Sequence, residues 1–233
     1  MALPKLQVPE YFLVVPSTGE EIKYRPFLVK EEKILLIAFE SEDDKQINNA
    51  ILNLVHGCTF DALGSKDTPL FDLEYAFLQI RAKSVGETTE LNILCPDDEK
   101  TRVKVEVNLS EVQVQMNKEH SLEINLTDEI TLMMKYPTIM DTVTTKKTDT
   151  ENIFAMLNNC MHEVHVGDDI TNMVDVSEEE KEEFVGNMTQ PMFEKIQTFF
   201  ETMPKLRHVI NIKNPKTKKK SEVLLEGLSD FFG

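Results

Sequence analysis

Cys160-Met161-His162-Glu163-Val164-His165 is the densest group of ligating and nucleophilic side chains in the chain. It falls at the end of a helix expected from Asn152 to Val164, and on a continuing helix His162 and His165 would share one face, three residues apart. Cys160 then lies about 200° around the helix from His162, on the side of Leu157. The expectation is a helix terminus with surface histidines, with metal or redox chemistry as the minor alternative. A second fragment, Cys95-Pro96-Asp97-Asp98, has the outline of a zinc-ribbon knuckle but a thiol only at its first position. Its counterpart Asn214-Pro215-Lys216-Thr217 has none, and a closed structural zinc site needs four donors. Metal-free hairpins are therefore expected.

Nucleophilic catalysis needs a serine or cysteine meeting a histidine that a third group orients. None of His56, His120, His162, His165 or His208 stands in such a signature, and Ser84-Val85-Gly86 follows a helix without a preceding glycine. Neither phosphate-cradling glycine pattern occurs, and 8 glycines leave little material for one. Acidic pairs such as Glu31-Glu32 and Asp43-Asp44 read as solvated helix ends in a chain with 41 acids. The expectation is a protein that is not an enzyme and takes no cofactor, metal or small-molecule substrate.

The formal net charge of −16 repels nucleic acid and anionic lipid at long range, so neither is expected as a partner. Lys216, Lys218, Lys219 and Lys220 form a local exception at a turn. A solvated turn is the commoner account of such a cluster, and a docking contact with an acidic partner is the alternative. Met133, Met134 and Met140 around Tyr136-Pro137 offer a second candidate contact patch, against the commoner reading of methionine as a core gap-filler. No apolar run approaches the roughly 20 residues that span a bilayer. The opening Met1-Ala2-Leu3-Pro4-Lys5-Leu6 lacks the basic and apolar regions of a secretory signal. Three well-separated cysteines, Cys58, Cys95 and Cys160, predict reduced buried thiols.

The elements that must position these residues follow from periodicity and turn chemistry. Tyr11–Val15 and Glu21–Tyr24 flank a Pro-Ser-Thr-Gly turn and predict a hairpin. Helices are predicted over Lys30–Phe39, Asp43–Val55 and Leu70–Lys83, the last opened by Thr68-Pro69. A hairpin follows from Thr88 to Val107, and another from Ser121 to Met134 around Thr127-Asp128-Glu129. Ser177-Glu178-Glu179-Glu180 is a capping box opening a short acidic helix. Phe193, Ile196, Phe199, Phe200 and Met203 mark a long amphipathic helix that Pro204 stops. His208–Ile212 and Glu222–Leu225 predict a last hairpin.

The pattern repeats. An offset of 119 residues carries Leu73, Phe77 and Ile80 onto Met192, Ile196 and Phe199, Leu91 and Ile93 onto Ile210 and Ile212, and Pro96 onto Pro215. Upstream, Ile51-Leu52-Asn53 matches Met156-Leu157-Asn158. The expected fold is α+β: short antiparallel hairpins packed on helices, arranged as two diverged helix–loop–helix–hairpin units with zinc-ribbon-like hairpins that lack metal ligands. Two parts are expected, 1–140 with the first hairpin unit and the central hairpin, and 150–233 with the second unit, joined through the polar stretch Asp141–Asp149.

Lys23-Tyr24-Arg25-Pro26-Phe27, followed by Lys30-Glu31-Glu32-Lys33-Ile34-Leu35-Leu36, resembles the T4-type bacteriophage base plate proteins. So do Asp72–Leu78 with Arg81–Glu87, Met134-Lys135-Tyr136-Pro137, and Leu225–Phe232. The resemblance implies a viral protein of the baseplate hub of a contractile tail, acting in hub assembly in the host bacterial cytoplasm through contacts with other hub proteins. Permanent residence in the virion tail baseplate is the alternative, and a cell-wall hydrolase or transglycosylase of the hub a weaker one. No catalytic residues come with the family. The candidate contacts are Lys216, Lys218, Lys219, Lys220, Tyr136 and Met134.

Overall fold

The computed structural model describes residues 6–143 and 149–232. In chain order its elements are β1 (Tyr11–Val14), β2 (Glu21–Tyr24), α1 (Val29–Glu40), α2 (Asp44–Cys58), α3 (Leu70–Ser84), β3 (Thr88–Leu94), β4 (Arg102–Asn108), β5 (Gln113–Gln115), β6 (Glu123–Asn125) and β7 (Ile130–Met134). Then come α4 (Asp149–Cys160), β8 (Met161–Val166), β9 (Asp169–Asn172), α5 (Glu178–Gly186), α6 (Gln190–Thr202), β10 (Lys205–Lys213), β11 (Lys220–Glu226) and α7 (Gly227–Phe232). Every strand pairing is antiparallel, in sheets of two to four strands. The α+β class read from the sequence holds.

Two compact units divide the chain, and they are not its consecutive halves. Unit 1 takes residues 1–115 and 205–233, and unit 2 takes 116–204. The expected division into 1–140 and 150–233 is therefore corrected. Lys205, Leu206 and Arg207 pair with Gln115, Val114 and Gln113, so the last hairpin closes onto the first part of the chain. Residues 144–148 of the expected joint lie outside the described residues.

Unit 1 begins with the β1–β2 hairpin, whose turn is pinned to α3. Buried Asp72 accepts hydrogen bonds from the Ser17 amide at 3.0 Å and from the Ser17 hydroxyl. Arg25 makes a forked ion pair with Glu31 at 2.7 and 2.9 Å and also donates to the Gly57 carbonyl at 3.1 Å, tying the strand exit to α1 and α2. α1 packs on α2 and α2 on α3. α3 then supplies Leu78 and Ala82 to a core shared by both ribbon hairpins: Leu91 and Val107 from one, Ile210 and Leu225 from the other, with Phe231 of α7 fully buried among them.

Unit 2 is the four-stranded sheet β6-β7-β8-β9 with α4, α5 and α6. Ile196 and Phe199 of α6 enter its core with Leu132, Met134, Leu157 and Cys160. Here the sequence reading needs a second correction, because α4 stops at Cys160 and the chain turns at once into β8. Met161 and Val164 are buried in that strand, and Gly167, at φ +60°, makes the turn to β9. The run from 161 to 166 reads equally well as the end of a helix or as a strand. Pairing with β7, with Leu132 opposite Val164, decides for the strand.

The repeat is likewise partial. Both ribbon hairpins form, but β8, β9 and α5 stand between α4 and α6, and α6 belongs to a different unit from the hairpin that follows it. Helix and hairpin share one core only in the first copy.

Candidate functional site

The tips of the two ribbon hairpins meet in unit 1, and their turns are built alike. In one, the Cys95 amide donates to the Thr101 carbonyl at 2.8 Å and the Glu99 amide to the Cys95 carbonyl at 2.9 Å. In the other, the Asn214 amide donates to the Lys219 carbonyl at 2.9 Å and the Lys218 amide to the Asn214 carbonyl at 2.9 Å. Proline follows the first residue of each turn, and the left-handed positions Glu99 (φ 52°) and Lys218 (φ 66°) correspond. The second loop is tighter, because its closing bond reaches Lys219 rather than the equivalent of Thr101.

Side chains clasp the tips where a zinc ribbon would place metal. The corner positions are Cys95, Asp98, Asn214 and Thr217, with one thiol among the four. Asn214, 1% exposed, donates its amide to Asp97 Oδ1 at 2.9 Å, and its carbonyl oxygen accepts from the amides of Lys216 at 2.8 Å and Thr217 at 3.3 Å. The Thr217 hydroxyl bonds the second oxygen of Asp97. Asp98 accepts from the Thr101 hydroxyl at 2.6 Å and the Thr101 amide at 3.0 Å. These donors hold the Asp97 and Asp98 carboxyls below the usual carboxylate range. The network satisfies each tip within the protein, and among the described residues no three His, Cys, Asp or Glu side chains gather to hold a metal ion. Lys216, Lys218, Lys219 and Lys220 are all exposed on this clasped tip.

The other sequence candidates are in unit 2. Met134 is 2% exposed and packs in the core with Leu157 and Met161, so this candidate contact residue follows the commoner reading of methionine as core packing. Tyr136 is half-buried, its ring stacked 5.6 Å from His120 and 6.2 Å from Phe199. His120, not singled out as a contact by the sequence reading, completes a triangle of rings with them, its Nδ1 3.0 Å from the Thr202 hydroxyl and its ring 5.0 Å from Phe199. Burial holds its imidazole below the ordinary value. It lies 82 residues from Thr202, and nothing local in the sequence announces that meeting.

The histidine cluster read on a helix lies instead on β8, where the register with β7 shifts at His162. His162 and His165 both face the Glu163 carboxylate, His162 Nε2 at 3.8 Å. His165 Nε2 bonds Glu163 at 2.8 Å, while Cys160 is buried in the core, which pushes its thiol up to about 12. Cys58 is similarly buried and pushed up to about 12. Such thiols are poor nucleophiles.

The fold and its tips thus define an α+β protein whose most elaborated polar feature is a clasped, lysine-bearing projection. Residues 8–233 match the family described as T4 bacteriophage base plate protein. The chain belongs to that family, and with it to the structural proteins of the phage baseplate, which contact other phage proteins. No curated protein and no solved structure matches.

Proposed function

We propose that this protein acts in the assembly of the baseplate hub of a contractile phage tail, through protein–protein contacts and without catalysis. The observation that carries this reading is the family match over nearly the whole chain, 8–233. The lysine tip supports it, because the Asn214–Asp97 clasp presents four ammonium groups on a fixed turn. A fixed tip loses less conformational freedom on docking than a mobile loop. Acidic surfaces of other hub proteins are its partners, with the half-buried Tyr136 a further contact. The work takes place in the host cytoplasm while the hub forms. The family's description as a base plate protein favours a second reading, a permanent hub subunit of the virion.

Mass spectrometry of mature particles, alongside a tagged pull-down from infected cells, separates these readings. Absence from the particle with hub proteins in the pull-down makes the protein an assembly factor. Peptides at hub-like copy number in the particle make it a subunit, and finding it in neither overturns the baseplate hub reading. Replacing Lys216, Lys218, Lys219 and Lys220 by serine is expected to weaken capture of hub proteins while leaving stability within about 0.5 kcal/mol. Unchanged capture removes the tip from the account.

A further inference from the structure

The four-stranded sheet of unit 2 ends in β6 on one side and β9 on the other, and the two edges are treated differently. At the β6 edge, Lys195 of α6 donates to the Asn125 carbonyl at 2.6 Å and to the Leu126 carbonyl at 3.3 Å, so a side chain of the same unit guards it. β9 pairs with β8 alone. The two-residue turn Gly167-Asp168 makes Val166 and Asp169 the hydrogen-bonded closing pair, and bonded and non-bonded pairs alternate from there. Ile170 and Asn172 therefore turn their amides and carbonyls away from β8. Among the described residues, no hydrogen bond reaches those of Ile170. Asp169, Ile170 and Thr171 are all exposed, and successive strand residues face opposite sides, so neither face of β9 is covered there. Ile170, 62% exposed, puts a large apolar side chain on this open edge, where edges are commonly blunted or covered. The strand is nonetheless fixed. The Asn172 side chain accepts from the Val174 amide at 3.1 Å, and Met173 is buried in the core of unit 2. A preformed strand loses little freedom when another pairs with it.

The charges bordering β9 are of one sign. Asp168 and Asp169 at the turn and Asp175 just past the strand are exposed, with no base between them in the chain. The described lysines of unit 2 are placed elsewhere. Lys181 is held by Glu178 at 2.6 Å, and Lys195 is at the β6 edge. Lys135 follows β7, with β8 between it and β9, and Lys118 precedes β6 on the far side of the sheet. The two histidines of β8 both face Glu163. Across 116–204, acids outnumber lysines three to one and there is no arginine. An incoming strand with lysine or arginine is attracted to such an edge. A second β9 is repelled, because edge-to-edge pairing of two copies would lay Asp168, Asp169 and Asp175 of both along one seam.

We infer that β9 accepts an added strand: an extended segment of another protein of the same baseplate, apolar opposite Ile170 and carrying lysine or arginine on either side. This rests on the baseplate reading and gives it a second contact, opposite in charge to the lysine tip. The partner's backbone pairs with the outward amides and carbonyls of Ile170 and Asn172, which sets the register. Its basic groups meet Asp168, Asp169 and Asp175, which select it over an acidic strand.

Photo-cross-linking in infected cells tests it, with a photoreactive amino acid in place of Thr171 and, as a control, in place of Val209 on β10. The expected result is a cross-link from position 171 to a baseplate protein of the same phage, mapped to a segment with lysine or arginine beside the linked residue. Ile170→Pro removes the outward amide and no bond of the β8–β9 ladder, since proline is tolerated where an edge amide faces solvent. It should lower co-purification of that protein at least tenfold, with an unchanged circular dichroism spectrum. Asp168→Lys combined with Asp169→Lys should weaken capture and flatten its salt dependence. Amide hydrogen exchange of the unsubstituted protein gives a readout that needs no variant: the Ile170 amide should exchange at least tenfold more slowly with the purified partner bound. A cross-link to a second copy or to an acidic segment overturns the assignment. So does full capture by the Ile170→Pro protein, or an Ile170 amide whose exchange the partner leaves unchanged. Baseplate proteins captured from position 209 but not from 171 overturn the β9 edge and leave the hub reading standing. Capture of none from either position, together with absence from particles and pull-downs, overturns both.

Discussion

The two ribbon hairpins share a turn and differ in what closes them. β4 and β11 have the same alternation of exposed and partly buried positions, with Val107 and Leu225 each buried one residue before the strand ends. After β4 the chain makes one 3-10 turn, Leu109–Glu111, and moves on to β5. After β11 it folds into α7, whose Phe231 is fully buried and whose Leu228 amide donates to Glu74 of α3 at 3.1 Å. The same local unit is thus used once as an intermediate layer and once as a terminal lock. The comparison teaches that repetition preserved the turn, whose bonds are local, while the closing segment was fitted to its surroundings.

The largest expected effect comes from breaking the lock. Phe231→Ala should destabilise unit 1 by about 3–5 kcal/mol, since it removes a buried ring and leaves a cavity. Leu109→Ala, the matching test of the first hairpin, should cost about 2–5 kcal/mol. Thermal unfolding followed by circular dichroism ranks the two, and equal losses would erase the distinction between layer and lock.

A smaller effect is expected at the clasp. Asn214→Ala deprives Asp97, Lys216 and Thr217 of their partner in a buried position and should cost about 1–3 kcal/mol. Urea titration measures it. If the loss is negligible, the tips are held by their backbone turns alone, and the side-chain network is incidental.

The smallest and most specific effect depends on pH. Burial pushes the Glu74 carboxyl up from 4.5 to about 7, against the bond from Leu228 that lowers it. A raised carboxyl pKa means that folding takes up a proton between those two values. Its contribution is fully present below pH 4.5 and is lost as pH rises to about 7. Above that, folded and unfolded states are both ionised, and the folded state bears the cost of a buried charge. Glu74→Gln should therefore be the more stable form above pH 7, with little difference near pH 4. Denaturant midpoints of both forms across that range give the result, and parallel curves would show that α7 docks without regard to this carboxyl.

Much of this arrangement was legible in the residues themselves. Turn chemistry announced the β1–β2 hairpin at Pro16-Ser17-Thr18-Gly19, and Ser177 with Glu180 announced the start of α5. The spacing of Ile196 and Phe199 announced α6, and Pro96 with Pro215 announced the turns of the two ribbon hairpins. Each rests on bonds or contacts within a few residues, so the information lies in a short window. The run from Met161 to Val166 did not give itself away, because a helix end and a strand were both open to it and only pairing with β7 chose between them.

By itself the sequence determined the α+β class, the turns, the exposed lysines of the tip and the resemblance to the base plate family, all of them properties of local pattern and residue type. Only the tertiary structure decided that β10 returns to β5, that Met134 is core, and that Asn214 reaches Asp97 across 117 residues. Those depend on contacts between distant segments. Each side of such a contact reads only as apolar or polar until the fold supplies its partner.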